Sequence, residues 1–335
     1  MILRKPEYYD RFRCLAGACP DSCCKDWAVQ VDDRSAAYYR QLPGPLGDRL
    51  REVLQKEDGD TILTITDGRC PMWRTDGLCR IQAELGEGAL CHTCRTFPRL
   101  THDYGDFVEF DLELSCPEAA RILLNAPLAP AIITDTGEAV EPEYDTEAMA
   151  LLKSSREQAL SLLSQEEKPV GQRLALLLLY TCQVQSALDA GDAVDFDPDQ
   201  AWETVCSLRS PDNLPPLADF FKNLEILTPQ WRQLLEDHSP GPWDAHTPAL
   251  ARYLVNRYWL QAVSDYDLYS RGKLVCILCL LVRELGGDIF VTAQQMSKEI
   301  ENDVDNLEAI LDAAYTEPLF NDAALLVRFR NDLQI

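Results

Sequence analysis

Nine of the thirteen cysteines of this 335-residue chain fall before Ala126: Cys14, Cys19, Cys23, Cys24, Cys70, Cys79, Cys91, Cys94 and Cys116. So dense a group of thiols must either cross-link or gather around a metal, and the redox compartment decides between the two. The N-terminus, MILRKPEYYDRFRC, meets charge at Arg4 and has no apolar stretch of signal-peptide length. The longest apolar run, Leu174 to Tyr180, falls far short of the roughly 18 residues that a membrane span needs. The reading is therefore a soluble cytoplasmic protein with reduced thiols and no membrane partner, and an odd cysteine count also argues against complete internal pairing.

Spacing sharpens this. Cys14, Cys19, Cys23 and Cys24 lie within eleven residues together with Gly17 and Pro20. A loop of that composition can fold several sulfurs around one centre, which a straight helix or strand cannot. Cys70 and Cys79 form a second group, and Cys91 and Cys94 a third. Cys116-Pro117 opens a predicted helix, where the dipole and unpaired N–H groups favour a thiolate. Thiolates are the ligands of iron–sulfur clusters and structural zinc. Eight ligands suit two tetrahedral zincs, two cubane clusters, or one cluster with supporting thiols, and spacing does not choose among them. The radical-enzyme triplet CxxxCxxC is absent, because Cys24 follows Cys23 directly. Cys276 and Cys279 sit inside the apolar run from Val275 to Val282 and read as core, as do the isolated Cys182 and Cys206.

Charge divides the chain too. Of the total net charge of −24, residues 1–126 carry −5 and residues 127–335 carry −19. That excess of acid argues against nucleic acid as a partner and in favour of a lysine-bearing one. The Pro-rich stretch from Ala126 to Pro130 is the predicted boundary. The fold class is mainly α: an N-terminal cysteine-rich α+β metal-binding domain, residues 1–126, followed by an all-α helical bundle, residues 127–335. Strands are predicted at Trp27–Val31, Thr61–Thr66 and Phe107–Leu114. Short helices are predicted at Ser35–Gln41, Gly47–Lys56, Gly77–Gly86 and Glu118–Asn125. In the second part apolar residues recur at helical steps over 146–164, 171–190, 198–208, 217–236, 248–265, 269–286, 293–302 and 304–315.

The segments Cys19-Pro-Asp-Ser-Cys-Cys-Lys-Asp-Trp27, Cys70-Pro-Met72, Asp76-Gly-Leu-Cys-Arg-Ile-Gln-Ala-Glu-Leu-Gly86, Thr93-Cys-Arg-Thr-Phe-Pro-Arg99 and Cys116-Pro-Glu-Ala-Ala-Arg121 together resemble the flagellin lysine-N-methylase family. That family lies within a wider group of cysteine-cluster zinc- or iron-chelating proteins. The resemblance covers about residues 8–125. It implies methylation of flagellin lysines from S-adenosylmethionine and a bound 4Fe–4S cluster, with zinc as the alternative metal. It maps the ligands onto Cys14, Cys19, Cys23, Cys24, Cys70, Cys79, Cys94 and Cys116, and leaves Cys91 and His92 as neighbours.

Candidate proton acceptors or amine-orienting groups are Tyr8, Tyr9 and Asp10, and Tyr104 within His102–Asp106. Arg95 and Arg99 bracket Phe97-Pro98 and are candidates for binding a carboxylate, such as that of the cofactor's methionine moiety. No Gly-rich dinucleotide fingerprint is present: Gly86 and Gly88 lack a third glycine and a preceding strand. The cofactor pocket is therefore expected around the cluster or between the two parts. Two other classes fit the thiols, a non-enzymatic zinc- or iron-binding protein and an iron–sulfur oxidoreductase.

Overall fold

The computed structural model describes residues 1–25, 27–57, 59–127, 131–209 and 214–330. Leu128, Ala129 and Pro130 of the predicted boundary, and Asp26 of the first cysteine motif, lie outside the described residues.

The first part alternates short strands and helices: β1 (Ile2–Lys5), β2 (Val29–Gln30), α1 (Asp33–Gln41), α2 (Gly44–Val53), β3 (Leu54–Glu57), β4 (Asp60–Leu63), α3 (Arg80–Leu85), α4 (His92–Thr96), β5 (Arg99–Asp103), β6 (Phe107–Leu112) and α5 (Pro117–Asn125). One further strand, β7 (Ile132–Asp135), precedes a run of helices: α6 (Thr146–Leu163), α7 (Val170–Ala190), α8 (Pro198–Ser207), α9 (Ala218–Phe221), α10 (Pro229–Glu236), α11 (Thr247–Tyr258), α12 (Leu268–Leu285), α13 (Ile289–Met296), α14 (Val304–Thr316) and α15 (Asp322–Arg330). No helix among the described residues is long and apolar enough to cross a membrane.

Two sheets organise the strands. The smaller is antiparallel, in the order β2-β4-β3. The larger has the order β5-β6-β1-β7. In it β1 runs parallel to β6, with Arg4 opposite Glu109, and antiparallel to β7, with Arg4 opposite Ile133. β5 pairs antiparallel with β6 and sets His102 opposite Glu109. Strand β7 therefore corrects the all-helical reading of the second part. Its four residues are exposed and are held by pairing to β1, a non-local partner that periodicity cannot reveal.

The described residues form two hydrophobic cores. The smaller gathers Val29, Tyr39, Leu50, Leu63, Met72, Ile81 and Leu90 with Cys70 and Cys91. The larger joins Phe107, Leu112 and Leu114 of the sheet region and Leu123 of α5 to the helical part. At its centre stands α12, where Gly272 lets α7 approach so closely that a Cβ there would fall 2.3 Å from the Thr181 methyl. Part of the acidity of the second part is local chemistry. The carboxylates of Asp145, Asp197, Asp267, Asp288 and Asp303 each accept from backbone N–H groups at the start of the helix they precede.

Predicted boundaries fail where the backbone chemistry changes. The span 217–236 breaks into α9 and α10 because Pro229 opens a new helix, with Thr228 capping it. Residues 54–56, read as helix, turn into β3 and pair with β4. In the structure β1, β5 and α15 also appear where no element was predicted. Gly272→Ala should lower the unfolding free energy by about 1–3 kcal/mol through overpacking against Thr181. Urea melts check this, and an unchanged midpoint would mean that α7 and α12 are not in this close contact.

Candidate functional site

Backbone contacts join the first two cysteine loops, and the third is anchored to the segment around Gln30 and Asp32. Cys70 N–H donates to the Cys24 carbonyl at 2.7 Å. Gly17 lies against the 76–77 turn, where an added Cβ would meet the Asp76 carbonyl at 3.0 Å, and Gly77 has φ of +78°. Side chains are excluded at that contact, which is what Gly17 and Gly77 supply. The third loop is anchored by Thr93 Oγ1 donating to the Gln30 carbonyl at 3.0 Å and by His92 N–H donating to Asp32 at 2.8 Å. The N–H groups of His92 and Ser35 hold the Asp32 carboxyl down at about 2.

These loops aim backbone N–H groups at sulfur. Ala16 N–H meets Cys14 Sγ at 3.3 Å. The thiols of Cys19, Cys70 and Cys91 receive N–H groups of Asp21, Met72 and Cys94. Cys79 and Cys116 stand at the N-termini of α3 and α5 and receive N–H groups from the first turn. Burial pushes Cys70 up to about 12 and Cys116 up to about 11, against those hydrogen bonds. Cys23 and Cys24 hydrogen-bond through their side chains, which raises Cys23 and lowers Cys24 to about 7; Cys94 and Cys91 do the same, with Cys94 raised and Cys91 lowered to about 7.

The thiols fall into two groups whose charges act on one another. Cys14, Cys19, Cys23 and Cys116 form one; Cys24, Cys70, Cys79, Cys91 and Cys94 form the other, and the Cys23–Cys24 contact joins them. The eight cysteines named by the sequence are divided between these two groups. Cys91, set aside there, is 1% exposed and lies among them, whereas His92 is exposed. Among the described residues no three ligand-type side chains are placed around a single ion position. In chemistry the donor set fits a thiolate-bound centre: it is all sulfur, and N–H groups stabilise the anionic form that binds metal. Cys276 and Cys279 lie fully buried in α12, as core residues. Cys206 is exposed, which corrects its reading as a buried packing residue.

One carboxylate ties this region to the helical part. Asp21, between Cys19 and Cys23, accepts from Lys25 at 2.6 Å, Lys298 at 3.2 Å, Gln294 at 3.1 Å and Gln295 at 3.4 Å. Burial alone would raise this carboxyl, but the Lys25 hydrogen bond and the Lys298 charge outweigh it and the net direction is down. Lys298 is fully buried and also lies 4.9 Å from the centre of the Trp27 ring. It sits on a π-helical turn, Ser297–Glu301, that follows α13 and directs Lys298, Glu299 and Glu301 inward. Nothing in the helical spacing of residues 293–302 marked these positions. Burial of a Gln-Gln-Met-Ser-Lys-Glu run is a tertiary fact.

A cleft of about 690 Å³ opens between the larger sheet and helices α6 and α11. Arg4, His102, Glu109 and Asp111 share the sheet face that lines it. Arg156 of α6 grips Glu109 with two hydrogen bonds of 2.6 and 2.7 Å. Tyr8 Oη donates to Asp111 Oδ1 at 2.7 Å, and Leu112 N–H donates to the same oxygen. Burial pushes Asp111 up to about 6. Burial also lowers His102, whose Nε2 has no hydrogen-bond partner among the described residues.

Of the sequence candidates, Tyr8 lines this cleft. Tyr9 packs on Phe110 at 5.7 Å, Asp10 is exposed and accepts from Lys5, and Tyr104 stacks on Phe107 at 4.7 Å. Arg95 borders a separate cavity of about 410 Å³ with Asp32 and Arg34. Arg99 lies over the rings of Phe12 and Tyr9, so the two arginines face different surroundings. The residues that sequence reasoning missed, Asp111, Glu109, Arg156 and Arg252, carry no local motif. Only the alternation of β6 pointed toward the acidic pair.

The chain is 30% identical over 214 residues to the lysine-N-methylase of Salmonella typhimurium, covering 61% of this chain and 53% of that relative. Identity to the lysine-N-methylase of Salmonella choleraesuis is 29% over the same length and coverage. To the flagellar biosynthetic protein FliU of Salmonella muenchen it is 35% over 139 residues, which is 39% of this chain and 82% of FliU. The chain spans about half the length of the lysine-N-methylases it matches. No family model and no solved structure matches it. Cysteine-bearing loops docked on a helical body define a cysteine-rich, two-core protein. With its likeness to FliU running over most of that relative, the chain belongs to the FliU and lysine-N-methylase family.

Asp21→Ala should cost about 3–5 kcal/mol, because it removes one partner of a buried ion pair; urea melts that overlay wild type would count against the clamp. Asp111 makes a pH-dependent prediction. Its folded value of about 6 exceeds the ordinary 3.8, so the folded state holds the extra proton and this group's contribution to stability falls as pH rises from about 4 to about 6. The melting temperature of Asp111→Asn, measured relative to wild type, should therefore increase across that window, and a constant difference would contradict it.

Proposed function

We propose that this protein is an S-adenosylmethionine-dependent protein lysine N-methyltransferase that acts on flagellin and carries a cysteine-ligated 4Fe–4S cluster. The observation that carries this reading is the identity, over 214 residues, to relatives named lysine-N-methylase. The flagellar name of the FliU relative supports flagellin as the substrate. The net charge of −24 supports a lysine-bearing partner, which such a surface attracts through long-range steering.

The reaction asks little of the protein beyond positioning. The lone pair of a neutral lysine amine attacks the methyl carbon in line; the N–C bond forms as the S–C bond breaks. The sulfonium leaves as a neutral thioether, and the proton of the methylated amine passes to a base or to water. Four of Cys14, Cys19, Cys23, Cys24, Cys70, Cys79, Cys94 and Cys116 would ligate the cluster and the others would support it, with Cys91 beside Cys94, and zinc is the alternative occupant. A bound cluster supplies a covalent tie between the three loops and a charge that responds to redox state. The reading also places the protein in the cytoplasm.

Anaerobic purification with iron, sulfide and zinc analysis, followed by transfer of labelled methyl groups to flagellin, tests both halves. Iron and sulfide near four each per chain are expected for a cubane, together with label on flagellin lysines. Cys23→Ser and Cys94→Ser should lower both bound metal and methylation. Full methylation with the metal lost would refute a need for the centre, and no transfer by the metal-loaded protein would refute the enzyme.

A further inference from the structure

The cleft between the larger sheet and helices α6 and α11 holds opposite charges that are not bonded to each other. Asp111 accepts both of its hydrogen bonds on Oδ1, leaving Oδ2 without a hydrogen-bond partner among the described residues. Arg252 of α11 lines the same cleft and is within electrostatic reach of Asp111 and Tyr8, but its one hydrogen bond goes to the Ala126 carbonyl at 2.6 Å. No ion pair joins Arg252 to Asp111 among the described residues. By contrast, Glu109 and Arg156, their neighbours in the cleft, are fully engaged with one another.

An unjoined carboxylate and guanidinium in one half-buried cleft are complementary to a ligand that carries both an ammonium and a carboxylate. A lone lysine amine would answer Asp111 and leave Arg252 unmatched. A simple anion would answer Arg252 and leave Asp111. The rest of the cleft is larger than an amino acid needs: about 690 Å³, within the range of pockets for small molecules of drug or cofactor size. Phe110 and Leu160 give it an apolar wall, and Ser161 and Asn256 line it with hydrogen-bonding groups. His102 Nε2, buried without a partner, borders the same space.

We propose that this cleft is the methyl-donor site, in which Asp111 receives the α-ammonium and Arg252 the α-carboxylate of S-adenosylmethionine while its nucleoside lies along the apolar wall. The assignment rests on the methylase reading above. It also displaces Arg95 and Arg99, which face other surroundings, as the carboxylate-binding pair. Tyr8 is then a positioning residue: its hydroxyl fixes Asp111 Oδ1 and leaves Oδ2 for the ligand.

Equilibrium dialysis of the purified, metal-loaded protein with labelled S-adenosylmethionine, and with S-adenosylhomocysteine as a second probe, tests the assignment. Wild type should bind both. Asp111→Asn and Arg252→Met should each weaken binding by about tenfold or more, the loss of one charge-assisted contact, with iron content unchanged. Ser161→Trp changes an exposed residue of α6 and should block the cleft without touching either charge, so a folding defect in the charge variants does not blunt the test. Binding by all three variants within about twofold of wild type would overturn the cleft as the donor site while leaving the methylase reading intact. Unchanged donor binding with a raised KM for flagellin would also overturn it, by making the cleft an acceptor site. No donor binding by wild type would overturn the methylase reading itself, and the assignment with it.

Discussion

The burial of Asp21 is the contact on which the arrangement of this protein turns. A carboxylate enclosed between a cysteine loop and a helical body is costly unless its lone pairs are met, and here Lys25, Lys298, Gln294 and Gln295 meet them. Because Asp21 lies between Cys19 and Cys23, the contact that satisfies its charge also fixes the first thiol loop. Gln294 donates as well to the Ser115 carbonyl, beside Cys116, so the same turn of helix holds both ends of the cysteine region. The polar run from Gln294 to Glu301 is buried across the end of α13 and the π-helical turn, where Glu299 accepts from Thr228 and Glu301 from Tyr258.

That docking gives the two chemical regions a common frame. Strand β6 leads through Glu113, Leu114 and Ser115 to Cys116, so the strand that places Glu109 and Asp111 in the cleft also delivers a thiol to the cysteine loops. Tyr253 binds the Leu114 N–H and Glu301, linking this connection to α11, which carries Arg252. The geometry of the thiol loops and of the cleft therefore rests on one set of buried polar contacts.

Legibility in the sequence followed the range of the interactions. The cysteine loops were legible because their signal is local: close spacing, Gly17 and Pro20 at the first loop, Gly77 at the second. Long helices such as α6, α7 and α12 were legible from periodicity, and the apolar run around Cys276 and Cys279 marked them as core. The strands β1 and β7 were not, since each is four residues long and exists only through its partner. Cys91 was set aside because motif likeness placed it outside the ligand set; its proximity to Cys94 across one helical turn becomes meaningful only once both thiols are buried together. Arg95 and Arg99 looked like a pair in sequence, yet the strand that begins at Arg99 turns it toward Tyr9 and Phe12.

Residue type and spacing alone set out the chemistry available: a thiol-rich segment, an acidic helical body, and motifs that place the chain in its family. These follow from residue type and spacing, which survive without a fold. Which groups come near one another is a matter of the fold. Asp21 and Lys298 pair across 277 positions, and, among the described residues, Asp111 and Arg252, 141 positions apart, line one cleft without pairing. No local pattern encodes such contacts, because they arise when strand pairing and helix packing bury charges that must then find partners.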